Sequence, residues 1–301
     1  MKQEILDYIF TQMPTQQKKI EAAFTAEPAM EGELDRFLSK YSVFMARQGI
    51  TPAALAQSYL DMLNQTMHAR MEFLRTGRYP AQSQAEAVEK VYDNPKLMQQ
   101  YMLGLALSQF LWPHHYQIFC HYRRILQELS PQQQVLEVGS GHGLYTLAML
   151  TEGPGFAHMD IVDISKTSLA ITTEIIAALQ PEAKERLSLV LADVVAFQPG
   201  KQYDFITMGE VLEHVPDPTA ILRGLARLMH EGSRLFVTTC ANSPAIDHLY
   251  HFRTVEEIRQ LLRDAGYRIV DELVAPSLAK DLAWMEKQKL DVSYSALLEV
   301  Y

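Results

Sequence analysis

The feature that most constrains this chain is a glycine-rich turn that follows a short apolar segment. Residues 135–143 read Val-Leu-Glu-Val-Gly-Ser-Gly-His-Gly. Three alternating glycines let the backbone pass close to a ligand where a buried strand gives way to a helix. A nicotinamide-binding turn would place a further glycine at position 144, which is Leu144 here. The pattern instead places an acid, Glu137, beside the turn, and an acid at that point suits a cationic ligand.

Two acids follow the turn at the ends of the next two apolar runs. Asp163 ends the first run, where a carboxylate can accept hydrogen bonds from both hydroxyls of a ribose. Asp193 ends the second run and can accept a hydrogen bond from the exocyclic amine of adenine. Ile164 and Val194 come directly after these acids, so we expect them to sandwich the adenine ring.

The next segment completes a pattern that resembles a known family. Residues 203–215 read Tyr-Asp-Phe-Ile-Thr-Met-Gly-Glu-Val-Leu-Glu-His-Val and look like the fourth strand and following loop of class I methyltransferases. The resemblance covers residues 132–274 closely and implies that the protein binds S-adenosylmethionine (SAM). The SAM contacts predicted in this part of the chain are Glu137, Gly139, Ser140, Gly141, Gly143, Asp163, Ile164, Asp193 and Val194.

The order of the apolar runs predicts the fold class. From Gln132 onward, β-branched runs alternate with helical stretches, which is typical of parallel βαβ units in a doubly wound, Rossmann-like α/β sheet. The sheet is expected to be mostly parallel with an antiparallel last strand. The predicted strands are residues 135–138, 159–163, 187–191, 204–207, 235–239, 267–274 and 293–300.

The N-terminal part has a different character. It reads as helix throughout, and Thr51-Pro52 and Asn94-Pro95 each place a helix-capping residue before a proline. We therefore expect a helical cap region over residues 1–130 and a SAM-binding domain over residues 131–301. The resemblance implies that these helices cover SAM, with Trp112 and Tyr116 attracting its sulfonium by cation–π interaction. An aromatic core without a ligand role stays open as the alternative.

Charge and composition limit the partners. Residues 1–130 carry 13 basic and 13 acidic side chains, whereas residues 131–301 carry 14 and 23. An acidic domain repels phosphate backbones, so nucleic acid is excluded as substrate and a small molecule is expected.

Acids near the N-terminus and the lack of a long apolar run argue against a signal peptide and a membrane span, so we expect a cytoplasmic protein. Cys120 and Cys240 lack a metal-binding spacing, and no metal is expected. The oligomeric state is left open.

A closer resemblance gives the leading expectation for the reaction. Residues 104–112, Gly-Leu-Ala-Leu-Ser-Gln-Phe-Leu-Trp, together with residues 248–253, resemble bacterial enzymes that make azetidine-2-carboxylate from SAM. This resemblance implies attack of the α-amine of SAM on its own γ-carbon, with 5′-methylthioadenosine as the second product. The alternatives are methyl transfer to an O, N or S nucleophile of a small metabolite, and a catalytically silent SAM-binding module.

Both enzymatic reactions need groups that act near the sulfonium. Cyclisation requires a folded aminobutyrate chain and an unprotonated amine, which a nearby base can secure. The catalytic candidates are Glu210 at the end of the fourth strand, His214 in the loop after it, and His114 or His115 in the helical region. The loop of residues 243–253, after the fifth strand, lies where substrate determinants are commonly found in class I enzymes.

Overall fold

Helices occupy the first part of the chain. The computed structural model describes residues 1–81, 83–92 and 94–301. A π-helical segment, Val88–Tyr92, continues the fifth helix. In the described residues the helices before the sheet are α1 (Lys2–Gln12), α2 (Thr15–Ala26), α3 (Pro28–Gln48), α4 (Pro52–Thr76), α5 (Gln84–Ala87), α6 (Pro95–Ser108) and α7 (Pro113–Glu128).

The two predicted helix caps are confirmed. The Thr51 hydroxyl accepts a hydrogen bond from the Ala54 N–H at 3.1 Å, and Asn94 Oδ1 accepts one from the Leu97 N–H at 3.2 Å. Each bond satisfies a backbone donor that the first turn of a helix leaves unpaired. These caps start α4 and α6 at defined residues, and these two helices form the roof of the candidate site.

The second part of the chain is a sheet with helices on both faces. The helices are α8 (Leu144–Glu152), α9 (Lys166–Leu179), α10 (Pro218–Ala226), α11 (Val255–Asp264) and α12 (Leu282–Lys287). The strands are β1 (Gln132–Val138), β2 (Phe156–Asp163), β3 (Leu187–Leu191), β4 (Tyr203–Gly209), β5 (Met229–Ala241), β6 (Tyr267–Pro276) and β7 (Val292–Val300). Within the described residues they form one sheet in the order β3-β2-β1-β4-β5-β7-β6.

Strand direction and burial confirm the predicted class I methyltransferase fold. The last strand, β7, runs antiparallel to both β5 and β6, whereas β1 to β5 pair in parallel. Successive residues of β1 point to opposite faces, so Val135 packs in one apolar layer while Leu136 and Val138 pack in the other. The strand order reverses between β1 and β4, and sheets of this kind bind ligands at that reversal.

The N-terminal helices pack directly on the sheet domain. Gly104 in α6 lets that helix approach α4, because a Cβ there would lie 2.7 Å from Met62 Cβ and from the Ser58 carbonyl oxygen. Arg47 at the end of α3 donates a hydrogen bond to the Ala177 carbonyl of α9 at 2.7 Å. The division of the chain at residue 130 remains a prediction. None of the helices in the described ranges is long and apolar enough to cross a membrane.

Candidate active site

A cavity lies at the carboxyl ends of the central strands, beneath α4 and α6. It is lined by the turn after β1, the ends of β2 and β4, the loop after β5, and side chains of both roof helices. The structure thus brings most of the predicted site residues to one place. Those that line the cavity are Trp112, His114, His115, Gly139, Ser140, Gly141, Asp163, Ile164, Asp193, Val194, Glu210 and His214.

The glycine turn has the backbone geometry that its sequence predicts. Gly139 and Gly141 have φ angles of 76° and 48°, in the left-handed region that favours glycine. A Cβ on Gly139 would lie 2.6 Å from Val211 Cγ2, so no side chain fits there. A Cβ on Gly141 would face Met102 Sδ of α6 at 3.7 Å. The open side of the turn therefore points at the roof, and any larger side chain at Gly141 would enter the cavity.

Asp163 joins the turn to the neighbouring strand. Its Oδ2 accepts hydrogen bonds from Ser140 Oγ at 3.1 Å and from the Gly141 N–H at 3.3 Å, and its Oδ1 accepts one from the Ser165 N–H at 2.7 Å. Burial raises the pKa of Asp163, and these donors oppose that effect. Asp163 also lines the cavity, so its carboxylate lies within reach of a bound ribose.

The predicted adenine contacts form one edge of the cavity. Ile164 is 42% exposed although it is a large apolar residue, and it faces the cavity together with Val194. Val194 is half-buried, and apolar side chains at a cavity edge suit a planar ring. Asp193 Oδ1 accepts a hydrogen bond from the Val195 N–H at 2.9 Å, which leaves Oδ2 for an amine donor. The residues present therefore fit the nucleoside part of SAM.

Three of the predicted SAM contacts do not line the cavity. Glu137 is buried behind the turn, where it accepts a hydrogen bond from Thr146 Oγ1, and burial raises its pKa to about 8. A Cβ on Gly143 would lie 3.1 Å from atoms of α9, so this glycine permits helix packing. Tyr116 is buried in the core of the helical region. The SAM contacts expected of these three residues stay predictions, and in this structure their side chains face the protein interior or a neighbouring helix.

The end of β4 carries an unusual backbone. Glu210 has a φ of 50°, a conformation that costs a residue other than glycine about 1–3 kcal/mol. Thr238 of β5 holds it there, because the Glu210 N–H donates to the Thr238 carbonyl at 3.1 Å and the Thr238 hydroxyl donates to Glu210 Oε1 at 2.6 Å. The strained residue lines the cavity next to the glycine turn.

Beyond Glu210 the cavity continues into a compartment that we call the β4–β5 pocket. It is formed by Glu213, His214, Cys240, Asp247 and His248. His214 Nδ1 lies 3.3 Å from Asp247 Oδ2. Although burial opposes their charged forms, this ion pair raises the pKa of His214 to about 9 and lowers that of Asp247 to about 2. The sequence signal for Asp247 and His248 was the position of their loop after β5.

His115 is held in one orientation by the roof. Its Nδ1 lies 2.9 Å from Ser108 Oγ, and that hydroxyl donates its own proton to the Leu105 carbonyl at 2.7 Å. Gln109 Nε2 also lies 3.4 Å from His115 Nδ1, so two polar neighbours hold this edge of the ring. Burial lowers the pKa of His115 well below its ordinary value, so the ring is neutral.

The fold, with its cavity at the carboxyl ends of the central strands, is that of a class I methyltransferase domain. The chain belongs to a family described as a methyltransferase domain, whose model matches residues 114–272, more than half of the 301 residues. The match begins in α7 and ends in β6, so it includes the glycine turn and the β4–β5 pocket.

Curated relatives match part of the chain. A ubiquinone biosynthesis O-methyltransferase of Xanthomonas campestris pv. campestris is 34% identical over 163 residues, which are 54% of this chain and 66% of the relative. The protein of the same name from Aeromonas salmonicida is 33% identical over 112 residues, 37% of this chain and 45% of the relative. The chain thus spans about half to two thirds of the length of these relatives.

Solved structures share the fold at low identity. Mitomycin 7-O-methyltransferase MmcR superposes with a TM-score of 0.57 and 14% identity over 83% of this chain and 71% of that protein. N-methyltransferase NodS from Bradyrhizobium japonicum, in complex with S-adenosylhomocysteine, gives a TM-score of 0.51 and 14% identity over 69% of this chain and 97% of its own. The MmcR superposition covers more of this chain than residues 131–301, so it includes part of the helical region.

Proposed function

We propose that this protein transfers the methyl group of SAM to an oxygen nucleophile of a small molecule. The observation that carries the proposal is the extent of the cavity. Its lining extends from Gly141, Asp163 and Asp193 to the side chains of the β4–β5 pocket, so we place SAM along the first three and the acceptor in the pocket. A second, polar compartment beside the sulfonium is what an acceptor molecule requires.

The relatives support oxygen as the accepting atom. The curated proteins at 33–34% identity are named as O-methyltransferases. The choice of oxygen over nitrogen or sulfur therefore rests on these partial alignments together with the polar pocket wall.

The lining of the cavity narrows the acceptor further. Among the described residues, no lysine or arginine lines the cavity, whereas six carboxyl groups do. The positive charge of His214 is already paired with Asp247, so an acceptor with a phosphate or several carboxylates would meet an excess of like charge. We therefore expect a neutral or cationic acceptor, such as a phenol or an amino-substituted alcohol.

The residues of this protein would act by holding SAM and the acceptor in position. When bound, SAM supplies an electrophilic methyl carbon on its sulfonium. Asp163 and Gly141 fix the nucleoside, while α6 covers the turn and excludes water. The acceptor oxygen must then lie about 3–3.5 Å from the methyl carbon and in line with the bond that breaks. The β4–β5 pocket is the part of the cavity from which such an approach is open.

A labelling experiment tests methyl transfer. The purified protein is incubated with SAM carrying a labelled methyl group and with fractions of a small-molecule extract, alongside a panel of phenols and amino alcohols. We expect the label to appear in a neutral or cationic product and S-adenosylhomocysteine to form in equal amount. Consumption of SAM with no labelled acceptor product would contradict the proposal.

One observation favours a second candidate, the intramolecular cyclisation predicted from the sequence. His115 lines the cavity, and burial lowers its pKa well below the ordinary value, so its imidazole is neutral. A neutral imidazole there is suited to remove a proton from the α-amine of SAM, which cyclisation requires. Incubation with SAM alone separates the two reactions, because only cyclisation needs no acceptor.

A further inference from the structure

Three side chains of the β4–β5 pocket point their ligating atoms at one another. One atom each of His214, Asp247 and His248 lies within 4.8 Å of the other two, and Glu213, Cys240 and His248 form a second such group. Glu213 Oε1 lies 3.9 Å from His214 Nε2, so the two groups adjoin. Metal–ligand bonds of about 2.0–2.2 Å allow two ligand atoms to be about 4 Å apart. Small side-chain movements would therefore bring these atoms into one coordination sphere.

Two buried oxygens in this pocket have no hydrogen-bond partner. They are Glu213 Oε1 and Asp247 Oδ1, on side chains that are 1% and 2% exposed. The second oxygen of each group is engaged, with Thr239 Oγ1 at 2.7 Å and with Tyr92 OH at 3.2 Å. His214 is the neighbouring cationic group, but its Nε2 lies 3.9 Å from Glu213 Oε1 and its Nδ1 faces the other oxygen of Asp247. Since an unpaired buried carboxylate oxygen is costly, both oxygens remain available to a bound cation.

His248 has the orientation of a metal ligand. Its Nδ1 lies 2.6 Å from the Ser243 carbonyl oxygen, which can only accept, so Nδ1 carries the proton. Nε2 is then left with a free lone pair. Histidines that bind metal ions almost always donate their other ring nitrogen in this way. Since His248 is 8% exposed, this lone pair is held away from bulk water.

We propose that the β4–β5 pocket binds one divalent transition-metal ion through His214, Asp247 and His248, with Glu213 completing the site. Imidazole and carboxylate ligands together suit Zn²⁺ or Mn²⁺ better than Mg²⁺, which prefers oxygen ligands and bound water. The proposal departs from the expectation, drawn from cysteine spacing, that no metal is bound. Its ligands come from two segments, residues 213–214 and 247–248, that are separated in the chain.

The ion would also have a role in the proposed methyl transfer, and this role, unlike metal binding itself, rests on the proposed function. A metal ion at the far end of the cavity can bind the hydroxyl of an acceptor and lower its pKa, which makes a better nucleophile without a separate base. The binding of the ion itself does not depend on the reaction, so it can be measured without an acceptor.

The test is direct metal binding to the full-length protein after treatment with a chelator. Titration calorimetry with ZnCl₂ and with MnCl₂, and elemental analysis of the dialysed protein, should each give one ion per chain for at least one of the two metals. Asp247→Asn and His248→Gln should each weaken that binding at least tenfold, with folding checked by circular dichroism. Cobalt(II) should give a visible absorption band that the same variants lose.

A matched control comes from the same loop. His251 Nε2 lies 2.9 Å from Asn242 Oδ1 and belongs to neither group of ligating atoms, so His251→Gln should bind metal as the wild type does. Absence of binding by the wild type, or equal binding by the wild type and both ligand variants, would overturn the proposal. If the metal binds as proposed while no methyl transfer is found, the site stands and the proposed function fails.

Discussion

The carboxylate of Asp163 accepts a hydrogen bond from the backbone N–H of Gly141 at 3.3 Å, and this bond ties the end of β2 to the turn after β1. The same carboxylate is predicted to bind the ribose of SAM. One residue therefore both shapes the glycine turn and faces the ligand, so loss of its charge should affect binding and stability together.

Asp163→Asn should lower the affinity for SAM at least tenfold and reduce the melting temperature by a few degrees. Hydrogen bonds to a charged group are worth about 1.5–3 kcal/mol each, and the amide keeps only part of the acceptor capacity. Calorimetry with SAM and a thermal melt measure the two effects. Asp217→Asn is the control, since Asp217 caps α10 outside the cavity. Unchanged SAM affinity in Asp163→Asn would remove Asp163 from the site.

Gly141→Val should abolish SAM binding while the protein stays folded. The valine side chain would extend into the gap between the turn and Met102 of α6. It also adds backbone strain of about 1–3 kcal/mol, since φ is positive there. Gly155→Val carries comparable strain at a φ of 89° with nothing within 4 Å, so it controls for that cost. Equal SAM affinities for the two variants, measured by calorimetry, would mean that the turn does not contact the ligand.

Glu137 should make stability fall as the pH rises. Its folded-state pKa of about 8 lies above the ordinary value of 4.5, so the folded protein binds the proton more tightly than the unfolded chain. Its contribution to stability is complete below pH 4.5 and is lost as the pH rises toward 8, by about 1.4 kcal/mol for each pKa unit. The side chain of Glu137→Gln has no such proton to lose. In denaturant unfolding, the free energy of unfolding of the variant should therefore rise relative to that of the wild type from pH 5 to pH 8. Parallel stability curves would show that Glu137 is not held protonated.

Trp112 should report ligand binding by fluorescence. It lines the cavity, and its indole N–H donates to Tyr59 OH at 2.9 Å. The other tryptophan, Trp284, lies in α12 and is 40% exposed. In the Trp284→Phe variant, SAM or S-adenosylhomocysteine should shift or quench the remaining emission, whereas the emission of Trp112→Phe should not respond. If the fluorescence emission of Trp112 does not change at saturating ligand, the aromatic helices have a purely structural role.

Local sequence signals were sufficient to predict most of the fold. Every predicted strand is present. In the parallel strands β1, β2 and β4 the apolar runs are largely buried on both faces, so they stand out from the helices between them. The caps at Thr51 and Asn94 could be predicted because capping depends on residues within one turn. The glycine turn could be predicted because a positive φ restricts the residue type.

The composition of the β4–β5 pocket could not be predicted in the same way. Asp247 meets His214 only because the loop after β5 folds back onto the end of β4. The N–H groups of Leu249 and Tyr250 donate to the Glu213 carbonyl at 2.7 and 2.9 Å and hold the loop there. These contacts join residues far apart in the chain, and no local pattern specifies them. The same limit explains Tyr116, whose aromatic character fits a ligand wall and a helical core equally well.

The measurement that tests methyl transfer most directly is the identity of the nucleoside product. Purified protein is incubated with SAM alone and with SAM plus a small-molecule extract, and the products are identified by mass spectrometry. We predict that SAM alone stays intact and that S-adenosylhomocysteine appears only with the extract. Formation of 5′-methylthioadenosine and azetidine-2-carboxylate from SAM alone would contradict methyl transfer and establish the cyclisation instead.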